Sequence, residues 1–214
     1  MVIRRIARVP PLPAEPAAAD DMPDWSDREL LAALAESDPR AGFLLYDRLI
    51  RIVEWTILRI MGQRGPDHDD LVQGAFEQIV ITLRGQRYNE RCSLTSWASA
   101  VSCNVALNAL RSRRRQRAFR AEPSPSAPEP RDHHDLESQL AARQALERVR
   151  SELAQMNPAR AEALVLHEVN GLDLGEIAAL LGISVVAAQS RLSRGRRELM
   201  ERLERAAPPG GRDD

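Results

Sequence analysis

Between residues 121 and 135 the chain reads AEPSPSAPEPRDHHD, with four prolines and almost nothing apolar. A stretch of that composition cannot bury enough surface to fold and is expected to run as an extended, semi-rigid spacer. On both sides of it Leu, Ala, Arg and Glu dominate and β-branched runs are few, the mix that favours helices over sheets. A chain of 214 residues divided there has room for two small helical units. The expected fold class is all-α. Its expected parts are a disordered tail at 1–26, a helical domain at 27–120, a flexible linker at 121–135, a helix-turn-helix domain at 136–206 and a disordered tail at 207–214. The first tail is assigned on Pro10, Pro11, Pro13, Pro16 and Pro23 among the acids Glu15, Asp20, Asp21 and Asp24.

Local signals mark the helices. Ser26 with Glu29 three residues on is a capping box ahead of Leu30, Leu31 and Leu34. Phe43, Leu44, Tyr46, Ile50, Val53, Ile57 and Ile60 keep helical spacing until Gly62 and Gly65-Pro66. Asp67 to Asp70 place acids where a helix dipole favours them, before the stripe Leu71, Val72, Ala75, Phe76, Ile79, Val80 and Leu83. After a polar loop from Gly85 to Ser93, a fourth helix carries Leu94, Trp97, Ala98, Val101, Val105 and Leu110 on one face and ends in Arg111, Arg113, Arg114, Arg115, Arg117 and Arg120. Beyond the spacer, a helix of roughly twenty residues through Leu153 breaks at Asn157-Pro158, and a short one ends at Asn170-Gly171. Asp173 and Glu176 then form a second capping box, Gly182 turns the chain, and Ser184 caps a last helix.

Charge restricts function less than its placement does. Thirty basic residues, all Arg, face 31 acidic ones, so the net charge of -1 neither announces nor excludes a polyanionic partner. Cys92 and Cys103 lie eleven residues apart, about 16 Å at the helical rise, too far to bridge within one helix, and read as thiols of a reducing cytoplasm. Pro10, Pro11 and Pro13 interrupt any export signal, and Ser, Thr and Asn punctuate the charge-free run from Cys92 to Leu110, so cytoplasmic localisation without membrane insertion is expected. No phosphate loop or nucleophile elbow is present, and His68 beside Asp69 and Asp70, like His133-His134, lacks correctly spaced companions for a metal. No enzyme activity, cofactor or metal is expected.

The most specific local signal is Asp173 to Arg197: a capped helix, a turn at Gly182-Ile183-Ser184, and a second helix with a polar, basic outer face. This is the pattern of a helix-turn-helix, whose second helix fits the major groove of DNA. The Arg111–Arg120 run supplies a track for phosphates.

In this order the two modules resemble a bacterial RNA polymerase sigma factor of the extracytoplasmic-function group, from about residue 29 to 204. Asp70-Leu71-Val72-Gln73 with Phe76 is similar to the region-two helix that docks on the β′ clamp helices. Trp97, Val101 and Asn104 ahead of the Arg cluster are similar to the part that melts the minus-ten element. Gly171, Glu176-Ile177-Ala178, Gly182-Ile183-Ser184, Ser190-Arg191-Leu192 and Ser193-Arg194 resemble region four, which binds the minus-thirty-five element and the β flap.

The resemblance implies polymerase contacts by Asp70, Leu71 and Gln73. It implies minus-ten contacts by Tyr88, Asn89, Arg91, Ser93, Trp97, Asn104, Arg111, Arg113, Arg114 and Arg115, with a flipped-out base held between the loop and Asn104. It implies minus-thirty-five contacts by Gln189, Ser190, Arg191, Ser193, Arg194 and Arg197. The implied partners are core RNA polymerase, promoter DNA and an anti-sigma factor, with the spacer threading the RNA exit path. The chain departs from the family pattern at Gly74, which stands where an acid is usual, and at Ser99 and Ala100, where larger side chains are common. It departs again at Val186-Ala187-Ala188-Gln189, where a Gly-Thr-Val-Lys type of sequence usually opens the recognition helix. The expected function is therefore a transcription initiation factor. A stand-alone helix-turn-helix regulator, or a sigma-like protein that occupies polymerase without initiating, are the alternatives.

Overall fold

Caps and breakers set the helix boundaries. In the computed structural model, which describes residues 25–120 and 133–206, eight helices and no strands occur among the described residues. The predicted tails and most of the predicted linker lie outside that description, and helix α5 already begins at His133. Ser26 and Glu29 close the expected capping box on α1 (Asp27–Ala35). Asp38 caps α2 (Pro39–Met61), which has Pro39 in its first turn, where proline removes no needed donor, and ends on left-handed Gly62 at φ 85°. Helix α3 spans His68–Arg84, and α4 spans Leu94–Arg120 without a break into the arginine run.

These four helices pack around α2. Its inner face carries Leu45, Leu49, Val53 and Ile57, all buried, against Ile79 of α3 and Leu94, Ala98 and Leu107 of α4. Full burial of such side chains stabilises by about 1.5–3 kcal/mol each before chain entropy is counted.

The second group is α5 (His133–Leu153), α6 (Pro158–Glu168), α7 (Leu174–Leu181) and α8 (Val185–Ala206). Asn157 caps α6, and Asp173 with Glu176 forms the predicted box on α7. Gly182 at φ 64° ends α7, and the axis turns by 106° into α8, within the range of a helix-turn-helix. Ala188, Leu192 and Leu199 of α8 face Leu164, Val165 and Ile177. Gly195 lets α8 approach α6 closely: a Cβ there would sit 2.9 Å from the Arg160 carbonyl oxygen.

The two groups share one hydrophobic core. Helix α4 packs against α2 and α3 on one side and touches α5, α6 and α7 on another. Covered on more than one side, it buries Ser99, Ala100, Ser102 and Cys103 as well as its leucines. The Ser99 and Ser102 hydroxyls donate to backbone carbonyls of α4 itself, at 2.8 Å each, so neither is left unpaired. Among the described residues no single helix is long and apolar enough to cross a membrane.

Gly195→Ala should cost about 1–3 kcal/mol in urea unfolding, because its methyl meets backbone that cannot rotate away, outweighing the helix propensity gained. Gly74→Ala, with nothing within 4 Å of the added carbon, should instead be neutral or stabilising.

Candidate nucleic-acid and polymerase interface

The start of α4 is fixed from two sides. Ser93 accepts a hydrogen bond from the Ser96 amide at 3.1 Å, and the Asp27 carboxylate of α1 accepts one from the Leu94 amide at 3.0 Å while pairing with Arg48 at 2.9 Å. Nothing in the sequence marks Asp27 as a cap for a helix 67 residues away. The preceding loop holds Gln86 and Glu90 in left-handed backbone, φ 51° and 53°. It folds Tyr88 back so that its hydroxyl donates to the Cys92 carbonyl and its ring packs 5.1 Å from Trp97. Burial pushes the Tyr88 phenol up to about 12, so at neutral pH it stays a donor. Asn89 accepts from the Arg91 amide at 3.2 Å, and Asn89, Arg91 and Ser93 are exposed. The structure thus brings Tyr88, Ser93 and Trp97 together at one end of α4.

Further along α4 the sequence reading needs correction. Ser99 and Ala100, which stand where larger and DNA-facing side chains are expected by the resemblance, are 2% and 5% exposed and form no surface. Asn104 donates from Nδ2 to Glu162 of α6 at 2.6 Å. The sequence missed Glu162, since an acid on a helix reads as a solvated side chain. Arg111 donates to Asn108 at 2.9 Å, and Arg113 pairs with Asp67 at the start of α3, Nε to carboxylate 3.1 Å. Arg114, Arg115 and Arg117 are exposed.

On α3 the expected docking residues divide as their positions dictate. Asp70 and Gln73 are exposed, Gln73 donating to Glu77 at 2.9 Å, while Leu71 is half-buried against the core. Exposed Ile81, and the Tyr46–Phe76 ring pair at 4.8 Å, add apolar surface to α2 and α3.

On α8, Gln189, Ser193, Arg194 and Arg197 are exposed, whereas Ser190 and Arg191 are half-buried. Arg196 is drawn sideways to Glu168 at 2.6 Å. Glu198 bridges Arg160 at 2.8 Å and Arg202 at 3.3 Å, and its carboxyl is held below its ordinary value by those hydrogen bonds and the Asn157 amide against the opposing effect of burial. The inner arginines therefore tie α8 to α5 and α6, and the outer ones face solvent.

Residues 45–116 match sigma-70 region 2, and residues 146–199 match sigma-70 region 4. The chain is 34% identical over 143 residues to the RNA polymerase sigma factor CarQ of Myxococcus xanthus, covering 67% of this chain and 78% of that one. It is 30% identical over 188 residues to the sigma factor CnrH of Cupriavidus metallidurans, covering 85% and 96%. The chain belongs to the sigma-70 family, in its extracytoplasmic-function group. It is a transcription initiation factor that directs RNA polymerase. The structure of CnrH in complex with the cytosolic domain of CnrY is similar in fold, with a TM-score of 0.50 and 25% identity over 85% of this chain and 99% of that one.

In this sigma factor, Tyr88→Phe removes the donor to the Cys92 carbonyl and keeps the ring pair. It should lower stability by about 0.5–1.5 kcal/mol in thermal unfolding, with the far-UV circular dichroism unchanged.

Proposed function

We propose that this sigma factor divides promoter recognition among three helices. Asp70 and Gln73 of α3 dock on the β′ clamp helices of core polymerase, supported from beneath by Leu71. The Tyr88–Trp97 end of α4, with Asn89, Arg91, Ser93 and Asn104, binds the opened minus-ten strand, and Arg111, Arg113, Arg114 and Arg115 hold the upstream phosphates. Helix α8 reads the minus-thirty-five duplex through Gln189, Ser190, Ser193 and its arginines, while the region-four module contacts the β flap. This work is positional, needs no catalytic group of the chain's own and belongs in the cytoplasm. The similarity to CnrH, whose structure holds the cytosolic domain of CnrY, supports a further protein partner of the anti-sigma kind.

The observation that carries this reading is the helix-turn-helix, with its 106° turn and exposed polar outer face, placed after a region-two bundle whose α3 leaves Asp70 and Gln73 open. The same arrangement sets a condition. Asn104 is exposed but held by Glu162, so a DNA strand has to compete with that carboxylate for its amide. Among the described residues the two groups are also linked through α2, where Arg150 donates to the Ile60 carbonyl at 3.0 Å and Asn170 to Thr56 at 3.1 Å. Each is worth about 0.5–1.5 kcal/mol, added to the apolar packing the two groups share.

Size-exclusion chromatography with core polymerase should give a stoichiometric complex, and Asp70→Ala should weaken it by about 1.5–3 kcal/mol without changing the helical spectrum. An unchanged affinity would remove Asp70 from the docking surface. Replacing Arg191 and Arg194 by Ala should weaken promoter binding by about 1–3 kcal/mol for each base contact, or flatten its salt dependence where the contact is to phosphate. Glu162→Ala should raise the affinity of the free protein for a minus-ten single strand by about fivefold, measured by fluorescence anisotropy.

A further inference from the structure

The first two turns of α8 expose an unusual pair. Val186 is 76% exposed, and Gln189, one turn on, is exposed with its amide unbonded among the described residues. With Ser193 and Arg197 they make an outward stripe at spacings of three and four. Ala188 and Leu192 on the opposite face fix the rotation of the helix, so this stripe is not free to turn inward. No cation joins it before Ser193, because Arg191, the one arginine in that stretch, is half-buried on the flank.

We propose that Val186 and Gln189 together read an A·T step in the upstream promoter element, the valine methyls against a thymine C5 methyl and the glutamine amide on adenine N6 and N7. This rests on the reading of α8 as the duplex-binding helix and specifies what it selects. The chemistry follows from the groove edge. Guanine offers two acceptors, O6 and N7, and is matched by an arginine or lysine, which the start of this stripe lacks. Adenine offers one donor and one acceptor, which a glutamine amide satisfies together, and only thymine presents a methyl. Side chains three apart on a helix stand about 5–6 Å from each other at Cβ, close enough to address neighbouring base pairs that rise about 3.4 Å. Ser184 bonds the Ala187 amide at 3.2 Å and holds this turn in place, so both side chains project from a formed helix.

The test uses the full chain with core polymerase. Transcripts from a library of randomised upstream elements are sequenced, and the preferred element is then tested with single substitutions. The wild-type holoenzyme should enrich an A·T step. Replacing its thymine by deoxyuridine, which removes only the methyl, should weaken binding by about fourfold. Val186→Ala should bind thymine and uracil alike, and Gln189→Ala should lose at least about fivefold of its preference for adenine over guanine. Both positions are exposed, and circular dichroism should show the fold intact. A holoenzyme that selects an upstream element but treats thymine and uracil equally overturns the proposal alone. A Val186→Ala protein that keeps full sensitivity to uracil, or that loses affinity for polymerase instead, also overturns it. Selection of no upstream element overturns the assignment of α8 to duplex DNA and the proposal with it.

Discussion

Everything in this molecule is arranged around the burial of α4. From Leu94 to Leu110 the helix has no charged side chain, and it is rich in Ala, Ser and Cys, so neighbouring helices approach it from more than one side. Leu94, Ala98, Cys103, Ala106 and Leu107 are fully buried, and burial pushes the Cys103 thiol far above its ordinary range, so it acts as a small apolar group rather than a nucleophile. Beyond Leu110 the same helix turns strongly basic. One helix therefore supplies both the seam of the fold and the phosphate-facing end of the proposed minus-ten surface.

That double use sets two demands on one face. In the free chain α6 and α7 cover part of α4, and Glu162 occupies the amide of Asn104. The contact mixes apolar packing, continuous with the core of both groups, with hydrogen bonds between them. Asp70 and Gln73 of α3 and Gln189, Ser193, Arg194 and Arg197 of α8 are exposed in the free chain. Docking through α3 thus meets no competing contact from the second module, whereas a strand at Asn104 competes with Glu162.

The readable part of the fold was the local part. Capping boxes at Ser26–Glu29 and Asp173–Glu176, and the left-handed stops at Gly62 and Gly182, are fixed by residues three or four apart and stand where the sequence places them. Asp70 and Gln73 are exposed, and Leu71 half-buried, as helical periodicity requires. The non-local part was not readable. Asp27 capping α4 and Glu162 bonding Asn104 join residues 67 and 58 apart, and neither acid differs in sequence from a solvated one. The burial of Ser99 and Ala100 is likewise non-local: the sequence shows one apolar stripe on α4, and tertiary contacts bury the helix on further sides. The resemblance to sigma factors supplied the pairing of modules with tasks, and the proline-rich spacer hid the fact that the modules touch.

The central claim is that α4 is covered by the second module in the free chain and uncovered on polymerase. It is tested most directly by the distance between spin labels at Ala35 of α1 and Glu204 of α8, both exposed, in a Cys92→Ser background. The free protein should give one narrow distribution, and binding to core polymerase should replace it by a longer one. A distance that stays the same in a stoichiometric polymerase complex would contradict the account, because the second module would then still cover α4.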